Sequence, residues 1–126
     1  MIFETLAFIF ISLASLIHIY IFVMESLLWG TPRINKVFDV TNEQAQANKL
    51  FAFNQGFYNL FLAIAAAAGL VISRSEYRVI GLTLMCYACL SMIGAALVLI
   101  YSQPKLVRAS LIQGLAPFLG LLLLFL

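Results

Sequence analysis

Residues 50–73 read LFAFNQGFYNLFLAIAAAAGLVIS, a stretch of twenty-four residues without a single charge. A helix needs about 20 apolar residues to cross the hydrocarbon core of a bilayer, so this stretch is long enough to span a membrane. Its first half nevertheless carries the amides Asn54, Gln55 and Asn59. An amide in hydrocarbon needs a hydrogen-bond partner, and these side chains therefore predict a polar region inside the protein.

Three further apolar runs have the same character, and the four runs together lie near residues 5–28, 50–73, 79–101 and 106–126. The chain of 126 residues is 64% hydrophobic and only 10% charged. A soluble domain of this size cannot bury so much apolar surface, so lipid must be the solvent for most side chains. The runs also lack the strict alternation of barrel strands. We therefore predict an all-α integral membrane protein, an antiparallel four-helix bundle forming one transmembrane domain over residues 1–126.

The loops predict the orientation of the bundle. Residues 74–78 and 102–105 are short connections, which force neighbouring spans to run antiparallel. The side of the first and third loops carries five basic residues, Arg33, Lys36, Lys49, Lys105 and Arg108. The opposite side carries two, Arg74 and Arg78. The positive-inside rule then predicts a multi-pass protein of the inner (cytoplasmic) membrane, with these loops in the cytoplasm and both termini outside.

The long first loop contains the sequence Thr41-Asn42-Glu43-Gln44, which has the spacing of a capping box. In a capping box the Thr41 hydroxyl accepts a free backbone N–H of the new helix, while the Gln44 side chain reaches back to the backbone of Thr41. We therefore expect the second helix to begin near Asn42, about two turns before it enters the lipid.

Polar side chains of three spans fall on faces that can meet. On the second helix four amides lie within about 60° of one another on a helical wheel, namely Gln44, Asn48, Gln55 and Asn59. On the first span a seven-residue spacing keeps Glu4, Ile11, His18 and Glu25 on one side, which Trp29 joins, and the last span adds Gln113. We predict a ligand-binding pocket between the first, second and fourth spans, with the candidate residues His18, Glu25, Trp29, Asn48, Gln55, Tyr58, Asn59 and Gln113.

Each candidate also has a structural interpretation, and the residues alone leave both open. The amides can simply join helices through interhelical hydrogen bonds. Glu25 and Trp29 can be interfacial side chains that reach headgroup water, and Tyr58 can be a packing or belt aromatic. His18 can be a packing histidine, which we expect to be neutral because an ionised side chain at mid-span costs about 2.5–3.5 kcal/mol.

Other kinds of site are not indicated by the sequence. Cys86 and Cys89 form a C-x-x-C, but both lie deep in the third span, where a thiolate is disfavoured, so we interpret them as small core residues. We identify no catalytic set, and we expect no cofactor and no bound metal, because no metal-ligand cluster or glycine-rich phosphate loop is present. The net charge of +2 is too small to suggest nucleic acid, which leaves membrane lipid as the expected partner.

Three motifs carry a resemblance to a known family. The first span closes with Glu25 and Trp29, residues 54–59 read NQGFYN, and residues 113–117 read QGLAP. Over essentially the whole chain, this combination resembles a family of small four-span bacterial membrane proteins classified only as domain of unknown function 1304. The resemblance implies four helices and brings no activity with it.

Three functions are compatible with these residues. The leading hypothesis is a protein that binds and transports a small molecule through an intramembrane polar pocket, in which Glu25 takes a proton or cationic group and the amides orient the ligand. A homo-oligomer fits this hypothesis, because one small bundle has little room for a pathway. The first alternative is a membrane-embedded enzyme, or a lipid- or isoprenoid-binding protein, that uses His18 and Glu25 as an acid–base pair. The second alternative is a small structural or assembly subunit.

Overall fold

The computed structural model describes all residues, 1–126, and consists of helices joined by short turns. Four of its helical segments are long and apolar enough to cross a membrane, and they are Ile2–Leu27, Lys49–Ile72, Arg78–Ser102 and Pro104–Leu124. The prediction of an all-α, four-helix membrane bundle is therefore confirmed.

The first span consists of α1 (Ile2–Phe22) and a π-helical turn (Val23–Leu27). Two short helices follow in the first loop, α2 (Pro32–Phe38) and α3 (Asn42–Ala47). The other spans are α4 (Lys49–Ile72), α5 (Arg78–Ser102) and α6 (Val107–Leu124), the last of which is preceded by a 3-10 turn over Pro104–Leu106.

The four spans form a closed ring in which each helix packs on two others. Helix α1 packs on α4 and α6, and α5 packs on the same two helices from the opposite corner. The connections after α4 and α5 are short, so successive spans run antiparallel. The first and third loops therefore lie at one end of the bundle, and both termini lie at the other end together with the second loop.

Serine hydroxyls join neighbouring spans through hydrogen bonds to the backbone. Ser15 Oγ on α1 donates to the carbonyl of Ala63 on α4 at 2.6 Å, and Ser110 Oγ on α6 donates to the carbonyl of Ala96 on α5 at 2.6 Å. A hydroxyl can reach a carbonyl of the next helix only where the two backbones lie close together. Small residues at these contacts make that approach possible.

The tightest packing fills the middle of the bundle. Eight buried apolar residues from all four spans form this core cluster, namely Ile11, Ala14, Ala66, Met85, Ala88, Cys89, Met92 and Ala116. Large apolar side chains on the outer faces of the same helices are exposed, as expected where lipid replaces water. This core cluster does not extend to the end of the bundle that holds the first and third loops.

The predicted capping box is present. Gln44 N donates to Thr41 Oγ1 at 3.2 Å, and Thr41 N donates to Gln44 Oε1 at 2.9 Å. The helix that begins at Asn42 does not continue into the membrane, however, because α3 ends at Ala47 and α4 begins at Lys49. At the break, the Asn48 side chain donates to the Gln44 carbonyl at 2.9 Å, a local bond that competes with helical geometry.

Candidate functional site

The site is built around Glu25, which lies in the π-helical turn that ends the first span. Asn59 Nδ2 on α4 donates to Glu25 Oε2 at 2.9 Å and also to the carbonyl of Gln55 at 3.1 Å. Beside this pair, Ser26 Oγ donates to the carbonyl of Phe53 at 2.8 Å. These two bonds, one from Asn59 of α4 and one from Ser26 of the turn itself, hold the turn against α4 and fix the position of the carboxylate.

A glycine allows this close contact between the two helices. A methyl group at Gly56 would overlap the Ser26 side chain and lie 3.0 Å from the Ser26 backbone nitrogen. Since backbone atoms cannot rotate away, only glycine fits opposite Ser26. The approach of the π-helical turn therefore explains the glycine of the NQGFYN motif. It lies between Gln55, whose carbonyl accepts from Asn59, and Asn59 itself, which donates to Glu25.

A cavity of about 570 Å³ opens beside Glu25 in the half of the bundle nearest the first and third loops. Glu25, Gln55, Asn59 and Gln113 supply its carboxylate and amide groups, and Tyr20 and Ser102 supply hydroxyls. The rest of the wall is apolar and comes from the first, third and fourth spans and from α2, which contributes Val37 and Phe38. The other apolar residues are Ile17, Ile21, Met24, Ala95, Val98, Leu99, Leu106, Ala109 and Ile112.

Several polar groups at this wall lack a protein partner. The side-chain amides of Gln55 and Gln113 make no hydrogen bond within the protein; Gln113 is buried, whereas Gln55 is exposed. Glu25 uses only one of its two carboxylate oxygens, which accepts from Asn59. The fully buried side-chain atoms that lack a partner lie elsewhere, at His18 Nε2 and Asn35 Oδ1, so the unpaired groups at this wall still reach open space. These groups are therefore available to a ligand in the cavity.

A second, shallower cavity of about 520 Å³ also borders Glu25. It lies between the π-helical turn and the start of α4, and its wall includes Ser26, Trp29, Gln46 and Lys49. Glu25 is the residue that the two cavities have in common. We call them the inner cavity and the Lys49 crevice.

His18 lies outside both cavities. Its side chain is fully buried, and Nδ1 lies 2.9 Å from the Ala14 carbonyl, which assigns the proton to Nδ1. Nε2 then has no partner. On α1, His18 sits between Ser15, which bonds to α4, and Phe22, which packs on Phe57 at 5.1 Å. The structure therefore buries His18 inside the bundle and does not bring it to the cavity with Glu25.

The other three candidates also lie outside the inner cavity. Trp29 Nε1 donates to the Ala45 carbonyl at 2.8 Å, and its indole packs on Phe38 at 5.2 Å, so it supports the first loop and borders the Lys49 crevice. Asn48 forms the break between α3 and α4. Tyr58 is 61% exposed and faces outward from α4.

The structure brings together four of the eight predicted residues at the inner cavity, namely Glu25, Gln55, Asn59 and Gln113. The sequence did not indicate the contributions of α5 and α2 to its wall. Residues such as Ala95, Val98 and Val37 are ordinary apolar side chains, and nothing in their identity distinguishes a cavity wall from a lipid-facing surface. Tyr20 shares a helical face with Ile17 and Met24 but lies about 140° from Glu25 on a regular helix, so its position in the sequence did not indicate the cavity either.

A larger groove of about 1180 Å³ at the opposite end of the bundle differs in kind. The hydroxyls of Thr5 and Ser12 in its wall donate to carbonyls of their own helix, at 3.0 and 2.8 Å. Arg78 is paired with Glu4 at 2.8 Å. Because these polar groups have partners, this groove is an outer surface between helices and not a second polar site.

The model of one family, described as Protein of unknown function (DUF1304), matches residues 12–125, which is most of the chain. The chain belongs to this family. The match spans all four membrane helices and includes Glu25, Gln55, Asn59 and Gln113. No curated protein matches the chain, and no solved structure matches it.

Proposed function

We propose that the protein binds a small molecule in the inner cavity and transports it across the membrane. The observation that carries this proposal is the convergence of unpartnered groups on one space, the free oxygen of Glu25 and the amides of Gln55 and Gln113. The volume of about 570 Å³ falls in the range of roughly 300–1,000 Å³ that is usual for small-molecule sites. An apolar wall with a few polar groups is also the usual composition of such sites.

The position of Glu25 supports passage as well as binding. Its carboxylate borders both the inner cavity and the Lys49 crevice, so a molecule moving from one to the other passes the Glu25–Asn59 pair. Toward the end that holds the termini, the core cluster closes the bundle. Transport in this proposal therefore requires a second arrangement of the helices, in which the core cluster opens and the loop end closes.

We also propose the setting in which the protein works. The basic residues favour the inner membrane, with the first and third loops in the cytoplasm, both termini outside, and lipid around the spans. A homo-oligomer is supported by Gly94 on α5, since a methyl group there would meet no atom within 4 Å. The small size of Gly94 serves no contact within this chain and leaves a face on α5 to which a second copy can come close.

A flux assay in proteoliposomes tests the proposal. Three fluorescent aromatic probes cover the charge classes: ethidium as a cation, 8-anilinonaphthalene-1-sulfonate as an anion and tryptophan as a zwitterion. Wild type is compared with Glu25→Gln and Asn59→Leu, which change the site, and with Asn54→Leu as the control. Asn54 is a neighbouring amide on the same helix that lies on an exposed face and borders neither cavity.

The expected result is uptake of at least one probe class above protein-free liposomes. This uptake should be lost in Glu25→Gln and Asn59→Leu and retained in Asn54→Leu, with all variants equally monodisperse in detergent. Uptake of none of the three probes would contradict transport. Uptake that is the same in all four proteins would show that the inner cavity is not the route.

A further inference from the structure

We infer that the ligand is an apolar amine bound as its ammonium ion, with the –NH₃⁺ group held by Glu25, Gln55 and Gln113. This inference rests on the proposed function and specifies the chemical class of its substrate. It follows from three properties of the inner cavity, which are its charge, its hydrogen-bonding groups and the shape of its apolar wall.

The charge of the inner cavity selects a cation. Glu25 is the only acidic or basic side chain among the residues that form its wall. Lys49 borders only the crevice on the other side of Glu25, and Arg33 and Lys36 of the overlying α2 are exposed and contribute nothing to the wall. A carboxylate or phosphate ligand would meet an acid without any base to balance it, whereas a monovalent cation would supply the missing partner of Glu25.

The hydrogen-bonding groups select an ammonium with N–H donors. An –NH₃⁺ group has three donors and no acceptor. The cavity offers three acceptors without protein donors, the free oxygen of Glu25 and the amide oxygens of Gln55 and Gln113; the two amides also carry –NH₂ donors, which an ammonium does not pair. They project from three different helices, the end of the first span, α4 and α6. A quaternary ammonium has no N–H and would leave all three acceptors unpaired, at the cost of their desolvation.

The apolar wall of the cavity indicates that the rest of the ligand is apolar and that the ligand enters from the lipid. Tyr20, Val98 and Ile112 line the cavity and are 53%, 66% and 57% exposed, so the cavity reaches the outer surface of the bundle. In a bilayer that surface is covered by lipid. An amine with an apolar body gathers at the membrane interface, with its charge in the headgroups and its body in the acyl chains. Such a molecule can enter from the lipid and place its ammonium at Glu25.

Binding of a matched series tests this class. The probes share a phenylpropyl body and differ only in the head group: 3-phenylpropylamine, 3-phenylpropanol, 3-phenylpropionate and (3-phenylpropyl)trimethylammonium. Each is titrated calorimetrically into the full chain in nanodiscs, and heats from empty nanodiscs are subtracted to remove partitioning into lipid. We expect the amine to bind at least about tenfold more tightly than each of the other three, the cost of one lost charged contact.

A pair of variants links the preference to the site. Glu25→Gln removes the charge and should reduce the affinity for the amine at least about tenfold, to the level of the alcohol. Glu4→Gln is the control, because Glu4 lies on the same span but pairs with Arg78 at the far end of the bundle. It should leave the affinity unchanged. Thermal unfolding of both variants in the nanodisc confirms that each is folded.

The outcomes separate this inference from the proposed function. Equal binding of the alcohol or the carboxylate overturns the cation class, and equal binding of the trimethylammonium overturns the role of the N–H donors. In either case, flux that depends on Glu25 and Asn59 would still support transport. If the protein transports the anionic or the zwitterionic flux probe but does not bind the amine, the amine class is overturned and transport is still supported. Absence of both binding and flux overturns both proposals.

Discussion

Replacing Gly81 with alanine should destabilise the bundle by an amount that can be derived from the contacts of the added methyl group. Gly81 lies where the start of α5 meets the end of α4, and a methyl group there would overlap the Ser73 backbone nitrogen and approach the Gly69 carbonyl oxygen to 2.7 Å. These are backbone atoms of a packed helix, so the helices must move apart. Overpacking of this kind costs about 1–3 kcal/mol. Alanine also recovers about 1 kcal/mol of helix propensity, which reduces the observed effect.

A matched variant on the same helix controls for the gain in helix propensity that any glycine-to-alanine change brings. Gly94→Ala adds the same methyl group to α5 where nothing lies within 4 Å, so it gains propensity without overpacking. The free energy of unfolding should therefore differ between the two variants by about 1–3 kcal/mol, with Gly81→Ala less stable. Reversible unfolding in mixed micelles, at a dilution where the protein is monomeric, measures this difference. Equal stability of the two variants would refute the packing of α5 against α4.

Three further predictions concern the site, the first loop and the topology. Asn59→Leu should lower the free energy of unfolding by about 0.6–1.7 kcal/mol through loss of its interhelical bond, as measured by the same unfolding assay, while Asn54→Leu should not lower it. Thr41→Ala should destabilise α3 by about 1 kcal/mol, and faster amide hydrogen exchange at Gln44 would report the loss of the cap, whereas unchanged exchange would contradict it. Alkaline phosphatase fused after Leu126 should be active and green fluorescent protein fused there should be dark; the opposite pattern would reverse the proposed orientation.

The parts of this structure that depend on local rules could be predicted from the sequence. Four long apolar runs predicted four spanning helices, because only helices or closed barrels satisfy the backbone in lipid. The capping box at Thr41 was predictable because its two bonds join residues three apart. The structure places Gln55, Asn59 and Gln113 at the wall of one cavity, although Gln55 is exposed, and their role in binding a ligand stays a prediction.

The placement of His18 relative to Glu25 could not be predicted by the same rules. Their seven-residue spacing puts both on one face only if the helix between them is regular. The segment from Val23 to Leu27 is instead a π-helical turn, in which the Leu28 N–H bonds to the Val23 carbonyl five residues back at 2.9 Å. Glu25, inside this wider turn, borders the cavity, whereas the buried His18 ring, in the regular part of the helix, does not.

The break at Asn48 and the wall supplied by α5 were unpredictable for other reasons. At Asn48 a side-chain bond to the Gln44 carbonyl competes with the helix, and the sequence does not reveal which of the two prevails. On α5 the apolar residues of the cavity wall resemble those that face lipid. Helical periodicity assigns residues to faces, but the space between faces depends on how four helices pack together.

A change of hydrogen-bond spacing in the π-helical turn would reorient Glu25. If its bonds change from five-residue to four-residue spacing, the side chain of Glu25 rotates about the axis of the span. The α-helix before the turn can stay in place meanwhile, anchored by the bond from Ser15 to the Ala63 carbonyl. Such a change in a single turn would move the carboxylate relative to the two cavities that Glu25 borders without tilting the whole helix.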